Sequence, residues 1–115
     1  MKIYVSGKIT GIPRDEAAAI FEQARERLLL QGHEPFVPTV LPDYADVSHG
    51  DYLHVCHAMI DICDAVYVLD NWRTSTGSHE EIQYAADWRK EIIYEDEATR
   101  QDGFPTDRRK WNDGK

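Results

Sequence analysis

The segment Cys63 to Ala86, CDAVYVLDNWRTSTGSHEEIQYAA, decides how the rest of the chain is read. It carries a strand, a polar turn and the start of a helix in direct succession. Ala65 to Leu69 (AVYVL) is a short apolar run rich in β-branched and aromatic residues, which suits a parallel strand covered on both faces. Asp70 to Gly77 has turn composition. Ser78-His79-Glu80-Glu81 then fits a capping box, S-x-x-E, ahead of Ile82, Ala85 and Ala86 at helical period. In open α/β sheets ligands bind beyond the carboxyl ends of strands, and a helix amino end facing that edge attracts anions. Glu81 is therefore expected at a rim where small polar ligands are handled.

Toward the amino end, Lys2 to Ser6 (KIYVS) reads as a first strand, followed by a glycine-bounded turn, Gly7 to Gly11. Pro13 suits the first turn of a helix. Ala17, Ile20, Phe21, Ala24 and Leu28 give that helix one apolar stripe, and Gly32 suits its carboxyl cap. His33 to Pro38 is a second strand, assigned to an edge because it contains Pro35. After a loop from Thr39, Ser48 with Asp51 is expected to cap a helix over residues 50–62. Its stripe is Tyr52, Cys56, Met59 and Cys63, widened by Val55 and Ile62 into a largely buried helix. Toward the carboxyl end, Glu91 to Glu95 (EIIYE) is a last strand. The predicted domain thus occupies residues 1–95. Residues 96–115 form a polar tail in which Phe104 and Trp111 are the large apolar groups.

With 115 residues the chain has room for one domain of modest core. Its 42% hydrophobic and 30% charged residues are those of an ordinary globular protein. No apolar run has the length of a membrane span, and the amino end passes straight into a strand without the apolar region of a signal peptide. Cys56 and Cys63 match no metal spacing, so reduced thiols and a cytoplasmic setting are expected. A net charge of −8 argues against binding to nucleic acid polymers, although one phosphate needs only a few local donors. His49, His54 and His57 lack a recognised ligand pattern, so neither a metal nor a cofactor is expected.

The order β-α-β-α-β-α-β with short links predicts an α/β three-layer sandwich around a doubly wound sheet. The sheet, of Rossmann or flavodoxin-like type, should be mainly parallel with four to five strands in the order 2-1-3-4. The turns after strands one and three would then face each other across a crevice.

Those two turns resemble the nucleoside 2-deoxyribosyltransferase superfamily, in particular a short branch common in phages and bacteria. Met1 to Gly11, MKIYVSGKITG, is similar to that branch's "YISGPITG". Cys63 to Leu69 with Trp72, Ser75, Gly77 and Glu81 is similar to "CDAIYxLxxWxxSxGAxxE", and Ile92 to Glu95 to its final strand. The resemblance implies cleavage of the N-glycosidic bond of 2-deoxynucleosides or their monophosphates. Glu81 would be the nucleophile on C1' of the sugar. The turn Ser6 to Gly11, with Gly7 at its start and Lys8 and Thr10 as donors, would lie along the sugar or phosphate. Ser75 or Ser78 would reach the phosphate. It also implies a homodimer or larger homo-oligomer.

The sequence departs from the family pattern at three positions. Cys56 stands where related enzymes carry the aspartate that protonates the leaving base, and Asp51, His54, His57 and Asp61 lie nearby without occupying that place. Lys8 replaces a proline, and Lys90 a glycine. Other readings of single residues stay open: Glu81 as the closing member of a capping box, Asp70 as a ligand contact or a turn residue, and Trp72 as a base-stacking or a subunit-packing group. Arg73 reads as a solvated charge, and Tyr4 and Tyr67 as core.

Overall fold

The computed structural model describes residues 1–40 and 48–96. Four strands, β1 (Lys2–Ser6), β2 (Glu34–Phe36), β3 (Ala65–Val68) and β4 (Glu91–Tyr94), alternate with three helices, α1 (Arg14–Leu30), α2 (His49–Asp61) and α3 (Thr76–Asp87). The sheet is wholly parallel in the order β2-β1-β3-β4, as expected. β1 and β3 are central, with Tyr4 opposite Val66 and Ser6 opposite Val68. β2 is a three-residue edge strand, which is how Pro35 is tolerated within it.

The chain steps outward from β1 to β2 through α1 and then returns across β1 through α2 to begin β3. Right-handed crossovers in opposite directions put α1 on one face and α2 with α3 on the other. The alternation of strand side chains therefore feeds two cores. Ile3, Val5, Ala65 and Tyr67 pack with Phe21, Ala24 and Leu28 of α1. Tyr4, Val66, Val68 and Ile92 pack with Cys56 and Ile60 of α2 and Ala85 of α3. Each large apolar side chain fully buried this way contributes about 1.5–3 kcal/mol.

Local chemistry sets the helix ends. Pro13 precedes α1 and its carbonyl accepts from the Ala17 N–H at 2.9 Å. At the other end Gly32 has φ +84°, and the N–H groups of Gly32 and His33 reach the carbonyls of Leu29 and Leu28, each at 3.0 Å. This paired closure needs a left-handed residue, which glycine supplies without strain. Ser48 Oγ accepts from the Asp51 N–H at 3.0 Å, the expected cap of α2. Asp64 is structural: its carboxylate accepts from the Lys2 N–H at 3.0 Å, closing the base of the sheet. Lys90 Nζ donates to the carbonyls of Asp61 and Cys63 just past α2.

Two expectations about helix faces are corrected. The buried side of α2 carries Leu53, Cys56 and Ile60, while Val55 and Ile62 are 42% and 56% exposed. At about 100° per residue, a face centred on Cys56 turns Val55 away from the sheet. Ile62 and Cys63 lie beyond the helix, in the turn to β3. On α3 Ala85 is buried, but Ala86 is exposed. The residues after Asp96, including Phe104 and Trp111, lie outside the described residues. No helix among the described residues is long and apolar enough to cross a membrane.

Gly7 bears on the loop after β1 directly. A Cβ there would stand 2.5 Å from Leu69 Cδ1 and 3.1 Å from Leu69 Cβ, against a side chain that is itself buried. Gly7→Ala is expected to lower stability by about 1–3 kcal/mol through this overpacking. A denaturant midpoint unchanged from wild type would contradict that.

Candidate functional site

β1 supplies the floor of the site. Its two-residue period puts Tyr4 and Ser6 on the same face, turned toward α3. α3 starts earlier than its sequence suggests. Ser75, not Ser78, is the amino cap, and its Oγ accepts from the Ser78 N–H at 3.1 Å. Ser75 and Ser78 have the spacing of a cap and its third helical residue, so the same local chemistry begins three residues upstream. The capping-box role for Glu81 is therefore corrected: the residue lies in the second turn of α3, on its buried side with Ser78 and Ala85.

In that position Glu81 meets β1. Its Oε1 accepts from Ser6 Oγ at 2.7 Å and its Oε2 from Tyr4 Oη at 2.8 Å. The Cys56 thiol of α2 lies beside them and also favours the charged form. The residue is only 4% exposed, and a buried carboxylate requires such donors. Burial nevertheless outweighs them and pushes the Glu81 carboxyl up to about 7. Burial, reinforced by the neighbouring Glu81, pushes the Cys56 thiol up to about 11 and the Tyr4 phenol well above its ordinary value. Near neutral pH, Glu81 is thus the member of this trio that titrates.

The loops after β1 and β3 close over this group from either side. The Lys8 N–H donates to Asn71 Oδ1 at 2.9 Å, and Lys8 Nζ donates to Thr74 Oγ1 at 3.0 Å. Between the loops lies a cavity of about 600 Å³, large enough for a small polar ligand. One wall is Gly7 to Thr10, the other Thr74 to Gly77. Pro38, Tyr52 and Glu81 complete the lining.

Of the residues expected at the site, Gly7, Lys8, Thr10, Ser75, Gly77 and Glu81 line this cavity. Ser6 lies behind it and holds Glu81. Gly11 ends the first loop with φ +90° and is not part of the wall. Ser78 is buried, and its Oγ has no hydrogen-bond partner among the described residues. Asp70 and Trp72 are not on the wall. Asp70 and the four residues after it form a short 3-10 helix that turns these side chains off the cavity. The Asp70 N–H donates to Glu95 Oε1. Trp72 packs against His79 and Tyr94 at 5.1 and 5.5 Å between ring centres, with the Arg73 guanidinium 5.3 Å from its own ring.

By sequence alone Tyr4 reads as core and Tyr52 as part of a helix stripe, and Asn71 carries no signal. Tyr4 is indeed buried, yet its hydroxyl serves the site. Its signal was present in the spacing, two residues before Ser6 on a strand. Tyr52 sits four residues before Cys56, on the same side of α2. His57 stacks on Tyr84 with ring centres 4.0 Å apart, as part of the α2–α3 packing. Among the described residues no group of three or more His, Cys, Asp or Glu is placed to hold a metal ion.

The chain belongs to the family described as Domain of unknown function (DUF4406), which it matches over residues 1–94. No curated protein matches it.

The raised proton affinity of Glu81 makes stability depend on pH. The folded state holds this proton up to about 7, whereas the unfolded chain releases it near 4.5. Between those values the folded state binds more protons, so this group's contribution is complete below 4.5 and is lost as pH rises through 7. Glu81→Gln removes the ionisation. Relative to wild type, the variant should gain on the order of 3 kcal/mol between pH 4.5 and pH 8 and nothing further above that. Paired melting curves across this range test it, and a pH-independent difference would count against the buried carboxyl.

Proposed function

We propose that this member of the family cleaves the N-glycosidic bond of a nucleoside or nucleotide, or transfers its 2-deoxyribosyl group, with Glu81 as nucleophile. One observation supports this most: a buried carboxyl that lines a cavity, with each oxygen held by a β1 hydroxyl. Cleavage of such a bond passes through an oxocarbenium-like state. A positioned carboxylate stabilises that charge or captures the sugar at C1'. Two hydrogen bonds fix its direction, which is what near-attack geometry requires. Lys8 and the amino end of α3 share the cavity wall and suit an anionic substituent such as a 5'-phosphate. The reading includes free nucleosides or nucleotides as substrates, a homodimer or larger assembly and a cytoplasmic setting.

A second reading, a nucleotide-binding module without turnover, is favoured by Cys56. The thiol stands where the resemblance places an acid and is neutral at physiological pH. Among the described residues Glu81 is the one carboxyl on the cavity wall. A binding module would show ligand-dependent thermal stabilisation without product.

Incubation with a panel of deoxynucleosides and their monophosphates tests the proposal through release of free base. Glu81→Gln is expected to lower the rate by about 10⁴-fold or more. Because the nucleophile acts ionised, kcat should rise with pH through about 7. Absence of base release from every compound removes the enzymatic reading. Release indifferent to Glu81→Gln removes the nucleophile.

A further inference from the structure

A base leaving C1' needs a proton, and the carboxyl that lines the cavity is the one that attacks the sugar. Helix α2 carries a different donor. Tyr52, in its first turn, lines the same cavity as Glu81. Four residues on, and so on the same side of the helix, Cys56 is fully buried. There its thiol sits among Tyr4, Tyr52 and Glu81, each of which acts on its proton affinity.

The other proton-bearing groups on the wall suit this role less well. The Lys8 ammonium is engaged with Thr74 Oγ1. Thr10, Ser75 and Thr76 carry aliphatic hydroxyls, which are far weaker acids than a phenol, and Ser75 Oγ caps α3. Asp51, His54 and Asp61 of α2 are exposed and off the wall.

We propose that Tyr52 is the general acid of the reaction proposed above, on which this assignment rests: its Oη protonates the leaving base while Glu81 takes the sugar. As the C1'–N bond breaks, its electron pair goes to the base nitrogen, which receives the Tyr52 proton. A Glu81 oxygen forms the new bond to C1'. The carboxylate charge is consumed and a phenolate appears, so charge is conserved. In the second half, water or another acceptor attacks C1', the ester bond breaks with its pair returning to Glu81, and the acceptor's proton restores Tyr52.

Tyr52→Phe keeps the ring and its packing and removes the proton. The comparison that tests the role uses two substrates. One is a deoxynucleoside, whose base must be protonated; the other is 4-nitrophenyl 2-deoxyriboside, whose leaving group departs as a stable anion. For the deoxynucleoside, kcat should fall by about 100-fold or more with KM much less affected, while the nitrophenyl rate stays within about threefold of wild type. An equal loss on both substrates would mark Tyr52 as structural and overturn the assignment, as would no loss on either. Turnover abolished by Glu81→Gln but indifferent to Tyr52→Phe overturns the acid alone. A wild-type protein inert toward both substrates overturns the acid and the glycosidic reading together.

Discussion

A carboxyl group buried between a strand and a helix is the constraint around which this structure is arranged. Glu81 is shielded from water, and burial of the charged form is unfavourable unless donors replace the lost solvent. Tyr4 and Ser6 provide them from alternate positions of one strand, with the Cys56 thiol of a second helix alongside. Three segments far apart along the chain therefore have to arrive at one point. The central strand, both helices of one sheet face and the loops above them are positioned together by that requirement.

The topology makes the convergence possible. Because the chain leaves β1 in one direction and returns past it in the other, the loops after β1 and β3 open apart at the carboxyl edge of adjacent strands. Lys8 then ties those loops through Asn71 and Thr74, so the crevice has two fixed walls. The close approach of Gly7 to Leu69 brings the first loop down onto the sheet. Trp72, prominent in sequence, lies outside this arrangement and braces the second loop against His79 and Tyr94.

The same carboxyl sets stability against chemistry. A glutamine or an apolar residue at position 81 would relieve the desolvation that lifts its proton affinity, so the native residue is held at an energetic disadvantage above neutral pH. Such a disadvantage is common where a group is kept for reactivity. Cys56 and Tyr4 are lifted in the same direction and stay protonated, leaving a site in which one acid is poised to ionise among neutral neighbours.

Much of this was legible in the residues themselves. The apolar runs KIYVS and AVYVL, the helical period of Ala17 to Leu28 and the Ser48 cap are local signals, and each element formed where its period placed it. The strand order followed from β-α-β alternation and the handedness of crossovers, which are general properties of chains. Local signals misjudged the start of α3, since Ser75 and Ser78 offer equivalent caps and only packing selects between them. They also overstated the buried arc of α2, because apolar composition does not say which residues face a sheet. What tertiary structure alone decided is the company of Glu81. No pattern within a segment reveals that hydroxyls 77 and 75 residues away in sequence will reach its two oxygens, because that depends on how a helix is set down across a strand.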